Sequence, residues 1–159
     1  METNTCCFTG HRILSKSQIH IIEPQLTEKI KKLIMQGTTH FMTGGAIGFD
    51  TIAAQKILAL KNDYKKINLI LAIPCEDQAD KWSEEDKIIY ENTKNQADEV
   101  IYVSKKYERD CMLKRNRFMV DNSNFVISVW DGRRRGGTYY TLNYAQKLNR
   151  QIILLDYRG

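Results

Sequence analysis

Short, continuously apolar runs alternate along this chain with stretches whose apolar residues recur every three or four positions. INLILAIP (67–74) is the plainest of the runs, and TCCFT (5–9), HFMT (40–43), EVIYV (99–103), NFVISVW (124–130) and QIILLDY (151–157) repeat the theme. A strand with no polar face has to be covered on both sides, which is the situation of parallel strands with helices above and below. The intervening segments fit that role. QLTEKIKKLIMQG (25–37) puts Leu26, Ile30, Leu33 and Ile34 on one helical face, with Pro24 as a start and Gly37 as a stop. Phe49, Ile52, Ala53, Ile57 and Leu60 mark a second helix, Ser83 with Asp86 opens a third through Ile89, Met112, Arg115, Met119 and Val120 a fourth, and TYYTLNYAQKL (138–148) a fifth. Six strands joined by five such crossovers predict an α/β fold, a doubly wound and mostly parallel sheet with helices on both faces, as a single domain over residues 1–159.

In folds of this kind ligands bind outside the carboxyl ends of the strands, so the residues just after each strand carry the functional information. After the first come Thr9, Gly10, His11 and Arg12. Gly10 lets backbone approach a ligand, and Arg12 offers a planar fork for phosphate; a turn with a surface arginine is the plain alternative. After the second come Gly44, Gly45 and Gly48, then Asp50. A glycine-rich turn running into a helix aims backbone N–H groups and the helix dipole at an anion. Asp50 either braces the helix start or bonds a ribose hydroxyl. After the third strand Gln78 and Trp82 lie four residues apart, a spacing that on a helix would present an amide and an aromatic ring to a base or, equally, a packing anchor to the core. After the fifth, Asp131 leads through three arginines to Gly136, Gly137 and Thr138, a second glycine-rich helix entry. Arg115 and Asn116 join this group if the fourth helix begins at the same rim.

Composition removes several classes. Residues 105–135 hold nine Lys/Arg against four Asp/Glu, a surplus equal to the net charge of +5 for all 159 residues, so the basicity is local and suits phosphates or a solvated helix face. No apolar run approaches the ~20 residues of a membrane span. The start, METNTCCFTG, lacks a basic region followed by an apolar core, so no leader is expected and the expected location is cytoplasmic, without membrane contact. Cys6, Cys7, Cys75 and Cys111 form no Cys-x-x-Cys pair, Cys6 and Cys7 point to opposite faces of a strand, and His11, His20 and His40 have no ligand spacing. Buried thiols are expected, with no disulfide framework and no metal.

The succession of TGHR (9–12), TGGAIGFDTIAA (43–54), the Pro74, Gln78, Trp82 series, RNRFMV (115–120), and VWDG (129–132) followed by GGT (136–138) resembles the YpsA-like branch of the SLOG superfamily, which includes DprA and the LOG cytokinin-activating hydrolases. The resemblance covers nearly the whole chain. It implies a Rossmann-like domain that binds a nucleotide or nucleotide-derived small molecule across its glycine loops, with no cofactor required, and often a homodimer. LOG hydrolases carry Gly-Gly-x-Gly-Thr-x-x-Glu, whose Glu serves N-glycosidic cleavage. Here Tyr139, Tyr140 and Thr141 follow Thr138, so the carboxylate is absent. The leading expectation is therefore a binding protein for sensing, sequestration or regulation rather than an enzyme. A nucleotide N-glycosidase or phosphoribohydrolase with a displaced acid, Asp50 or Asp131, is one alternative, and single-stranded nucleic-acid binding as in DprA another.

Overall fold

A computed structural model describes residues 4–158. Six strands and five helices alternate: β1 (Thr5–Thr9), α1 (Lys16–Met35), β2 (His40–Thr43), α2 (Phe49–Leu60), β3 (Asn68–Ile73), α3 (Glu84–Gln96), β4 (Glu99–Tyr102), α4 (Cys111–Asp121), β5 (Phe125–Ser128), α5 (Gly137–Lys147) and β6 (Gln151–Leu154). The strands form one parallel sheet in the order β4-β3-β2-β1-β5-β6. The chain thus walks outward from β1 to β4, returns, and continues on the other side with β5 and β6. Crossovers of one hand that run in opposite directions place their helices on opposite faces. The two apolar clusters record this. Buried residues of α1, α2 and α3 (Ile22, Ile57, Tyr90) pack with Cys6 and Phe8 of β1, whereas Met119 of α4 and Leu142 of α5 pack with Cys7. Adjacent cysteines therefore serve opposite layers, as the period of two in a strand demands, and all four cysteines are free thiols in the interior.

The order of elements is as the sequence pattern predicts, but the first helix is longer. It does not start at Pro24. Ser15 caps it, accepting from the backbone of Gln18 while the Gln18 side chain accepts from the backbone of Ser15, and Pro24 lies inside the helix. Ile22, Leu26, Ile30 and Leu33 are all buried, so one core-facing stripe runs straight past the proline. Pro24 and His20 are both exposed, which leaves the unbonded His20 carbonyl on the water side, where the missing hydrogen bond is least expensive. The third helix likewise continues past Ile89 to Gln96, held at its buried edge by Thr93, whose hydroxyl donates to the Ile89 carbonyl.

Three phenylalanines fix the top of the sheet. Phe8 on β1 stacks on Phe41 of β2, with centroids 6.2 Å apart, and meets the edge of Phe49, the first residue of α2, at 6.3 Å. All three rings are fully buried, each contributing about 1.5–3 kcal/mol of transfer free energy. Phe49 thereby clamps the N-terminus of α2 against the carboxyl end of β1. Gly10 makes the clamp possible: a methyl group there would sit 2.6 Å from the Phe49 ring.

Candidate functional site

The strand order reverses between β1 and β5, and a crevice opens there. It encloses about 330 Å³. Four segments contribute to it: the end of β1 with Thr9, Gly10, His11 and Arg12; Ala46 and Asp50 at the entry to α2; the face of α4 bearing Met112, Arg115, Asn116 and Met119; and Gly137 with Thr138 at the start of α5. A reversal point is where two neighbouring loops diverge to opposite faces of the sheet, so a hollow between them follows from the topology.

Arg115 is the centre of the site. It is 5 % exposed. One Nη1 donates to the Gly44 carbonyl at 2.5 Å and to Ala72 at 3.3 Å, and Nε donates to the Asn116 side chain at 3.0 Å. Among the described residues Nη2 reaches only the thioether of Met112, at 3.7 Å. Burial pulls the guanidinium below its usual pKa, and the charge of Asp50 opposes that pull. Asp50 itself is 7 % exposed and accepts from the Ala46 N–H at 3.3 Å. Burial raises its carboxyl above the ordinary range, against the lowering effect of Arg115 first, then of the Ala46 N–H bond and of Arg12. Gly44 separates the two charged groups. A Cβ on it would lie 2.3 Å from Arg115 Nη1 and 2.8 Å from Asp50 Oδ2.

His11 is oriented from the β5–α5 loop. The backbone N–H of Asp131 donates to its Nε2 at 2.9 Å, so that nitrogen is an acceptor. The Asp131 carboxylate accepts from the Arg133 backbone N–H at 2.9 Å, and that bond leads the effects that hold it below the usual carboxylate range. Asp131 therefore braces His11 and the β5–α5 loop from outside the crevice.

The glycine turns expected from the sequence divide into two kinds. The first is occupied by the protein itself. Gly45 and Gly48 both have positive φ, and the Gly48 Cα lies so close to the β1–α1 loop that a Cβ would meet the Arg12 carbonyl at 2.4 Å. The first N–H of α2, from Phe49, donates to His11 at 3.0 Å. Gly44, Gly45 and Gly48 are thus backbone-packing positions behind the crevice rather than a cradle lining it. The second turn is open. Gly136, at φ +92°, has free space around it and no side chain caps α5, while Gly137 and Thr138 face the crevice. Gly136 itself sits one residue outside the lining.

Gln78 and Trp82 are not on a common helical face, because the segment after β3 is a series of turns and α3 begins only at Glu84. Gln78 lies behind the first glycine turn, where its Nε2 donates to the Gly44 carbonyl and the Tyr90 hydroxyl, each at 3.4 Å. Trp82 packs edge-on against Tyr90 at 5.1 Å and borders a separate groove with Ile19 and Ile52. The packing-anchor alternative is the one its surroundings fit. Met112, Met119, Phe8 and Ala46 were not singled out by the sequence as site residues, yet they line the crevice. The two methionines flank Arg115 at helical spacing, and that shared face is the signal that points to them. At the position of the LOG-type Glu stands Thr141, whose hydroxyl donates to the Gly137 carbonyl at 2.8 Å and so faces its own helix.

Comparison with known proteins agrees with this architecture. A family model named YpsA and described as the YspA SLOG family matches residues 7–156. The chain is 33 % identical over 139 residues to an uncharacterized SPbeta prophage-derived protein, YoqJ, of Bacillus subtilis (strain 168), covering 79 % of this chain and 81 % of that one. It is 26 % identical over 130 residues to a UPF0398 protein of Bacillus pumilus (strain SAFR-032), covering 80 % and 70 %. Among solved structures, the X-ray structure of TM1055 superposes with a TM-score of 0.59 at 14 % identity, over 94 % of this chain and 72 % of that one, which is a likeness of fold.

Proposed function

The chain belongs to the YspA SLOG family, and from that premise we propose that it binds a nucleotide or nucleotide-derived small molecule in the crevice between β1 and β5, for sensing, sequestration or regulation. The observation that carries this reading is the open, uncapped N-terminus of α5 facing a buried arginine across the crevice. Its N–H groups and dipole favour negative charge, and Arg12 and Arg115 add two cations against the single carboxylate of Asp50. The anion is held between the second glycine turn and the two arginines that face it, since the first turn is filled by the β1–α1 loop. Neither Trp82 nor Gln78 contributes to base recognition; the wall left for a sugar or base is the apolar one of Met112, Met119 and Ala46.

A thermal-shift panel of mononucleotides, dinucleotides and cyclic nucleotides tests this. A member present at about one hundred times its Kd stabilises the fold by about 2.7 kcal/mol. For a chain of this size that is a rise of roughly 5–10 °C in Tm. A panel that moves Tm nowhere refutes the reading.

One observation favours a second reading, hydrolysis of the N-glycosidic bond. Asp50 is buried, borders the crevice and has a carboxyl held above its usual pKa, as a general acid requires. Asp131 lacks those properties, being ionised and tied to its own loop. On this reading, free base accumulates from a nucleoside 5′-monophosphate and Asp50→Asn abolishes its release. Intact substrate after prolonged incubation with stoichiometric protein excludes it.

A further inference from the structure

Two arginines in the crevice end on the same neutral atom. Arg12 Nη2 lies 3.9 Å from the Met112 sulfur, and Arg115 Nη2 lies 3.7 Å from it. A thioether is a weak acceptor, far below what a guanidinium normally finds. Arg115 is nine-tenths buried, its other nitrogens are satisfied by carbonyl and amide oxygens, and this one end is left on sulfur. The carboxylate of Asp50 lies near Arg115 beside Gly44 and forms no ion pair within 4.0 Å with either arginine among the described residues. Two like charges are therefore brought together around a flexible, uncharged plug. The spacing suits an oxyanion that accepts one charge-assisted bond of about 2.8 Å from each guanidinium in place of the sulfur. Methionine is the apolar side chain best able to swing aside, having three rotatable bonds and no branch.

Building on the binding reading above, we propose that Arg12 and Arg115 form a clamp for a terminal phosphomonoester, closed in the free protein by the Met112 side chain. The ligand is then a mononucleotide or a sugar phosphate of similar size. Arg115 lies at the buried end of the crevice, so a group that reaches it is the end of a molecule, whereas a bridging pyrophosphate would need a way out on both sides. The crevice volume of about 330 Å³ is at the small end of ligand cavities and agrees with a compact occupant. Phosphate enters, the Met112 sulfur leaves both guanidiniums, and the thioether turns toward solvent or the ligand's sugar.

The test uses the full chain with methyl-labelled methionine followed by NMR, the Met112 signal being assigned by Met112→Leu. The probes are inorganic phosphate, adenosine 5′-monophosphate and the other three ribonucleoside 5′-monophosphates, the matching nucleosides, and ADP-ribose, which has no terminal monoester. The expected result is a Met112 methyl shift with at least one monophosphate and with inorganic phosphate, leaving Met35 unmoved. That monophosphate binds at least about tenfold more tightly than its nucleoside, and Arg12→Ala, at an exposed position that leaves the core intact, removes most of the difference. If ADP-ribose or a bare nucleoside binds as well as the monophosphates and Met112 stays unperturbed, the clamp is wrong and the binding reading stands. If no probe binds at all, the clamp is wrong, and the binding reading falls with it when the dinucleotides and cyclic nucleotides of the thermal-shift panel fail as well.

Discussion

Gly48→Ala is expected to lose at least ~3 kcal/mol of stability, with Tm falling by roughly 6–12 °C, or not to accumulate as folded protein. The residue has φ +82°, and its added methyl would lie 2.4 Å from the Arg12 carbonyl oxygen and 2.5 Å from that of His11. Both obstacles are backbone, so no side chain can rotate away. Relief requires the β1–α1 loop to move off α2, which would also break the Phe49 to His11 hydrogen bond and displace two crevice residues together. Gly132→Ala is the comparison: φ is +85° there, but nothing lies within 4 Å of the new methyl. It carries only the left-handed strain of about 1–2 kcal/mol. Melting both variants beside the parent separates close approach from conformational strain, and equal losses would show that proximity to the loop is not what requires glycine at 48.

The second large effect is at Arg115. Arg115→Met is expected to cost about 3–5 kcal/mol, because it leaves a buried carboxylate without its main counter-charge and takes the guanidinium donor from the Gly44 and Ala72 carbonyls. The sign of the pH dependence is specific. The Asp50 carboxyl is raised in the folded parent and rises further once Arg115 is gone. A group whose folded pKa lies above its unfolded value, about 3.9 for Asp, favours the fold most below that value, and the advantage disappears as pH climbs through the folded pKa. The single variant therefore regains stability relative to the parent as pH is lowered from 7 toward 4. The double variant Arg115→Met/Asp50→Asn has no such titration, and at pH 7 it is expected to be the more stable of the two by about 1–3 kcal/mol. Urea denaturation at several pH values reads both quantities. A double variant no more stable than the single at neutral pH would mean that Asp50 and Arg115 are not energetically coupled.

The departures from the sequence pattern have a common origin. Helix starts are legible when the capping residues are adjacent, as at Ser83, where the side chain accepts from Asp86 three residues on. Pro24 misleads because proline usually marks a first turn, yet the stripe from Ile22 to Leu33 gains enough from burial to carry the helix across it. Gln78 and Trp82 mislead because a four-residue spacing has meaning only on a helix, and that segment is turns.

Local chemistry alone determined a good deal here. The period of each apolar run set strand or helix, six uninterrupted strands required two helical layers, and the residues after β1, β2, β3 and β5 were marked as candidates for the rim of a crevice, of which those after β1 and β5 line it with Ala46 and Asp50. What a glycine is for could not be read locally. Gly48 and Gly136 both adopt positive φ, but the first is pressed against backbone 36 residues earlier and the second stands in open space. The positions of Arg12, Met112 and Arg115 are of the same kind. Their meeting depends on α4 returning across the sheet from β4 to β5, so that residues about a hundred positions apart in the chain share one sulfur atom. Periodicity follows from the geometry of neighbouring residues, whereas close approach, burial and charge compensation exist only once distant segments have packed.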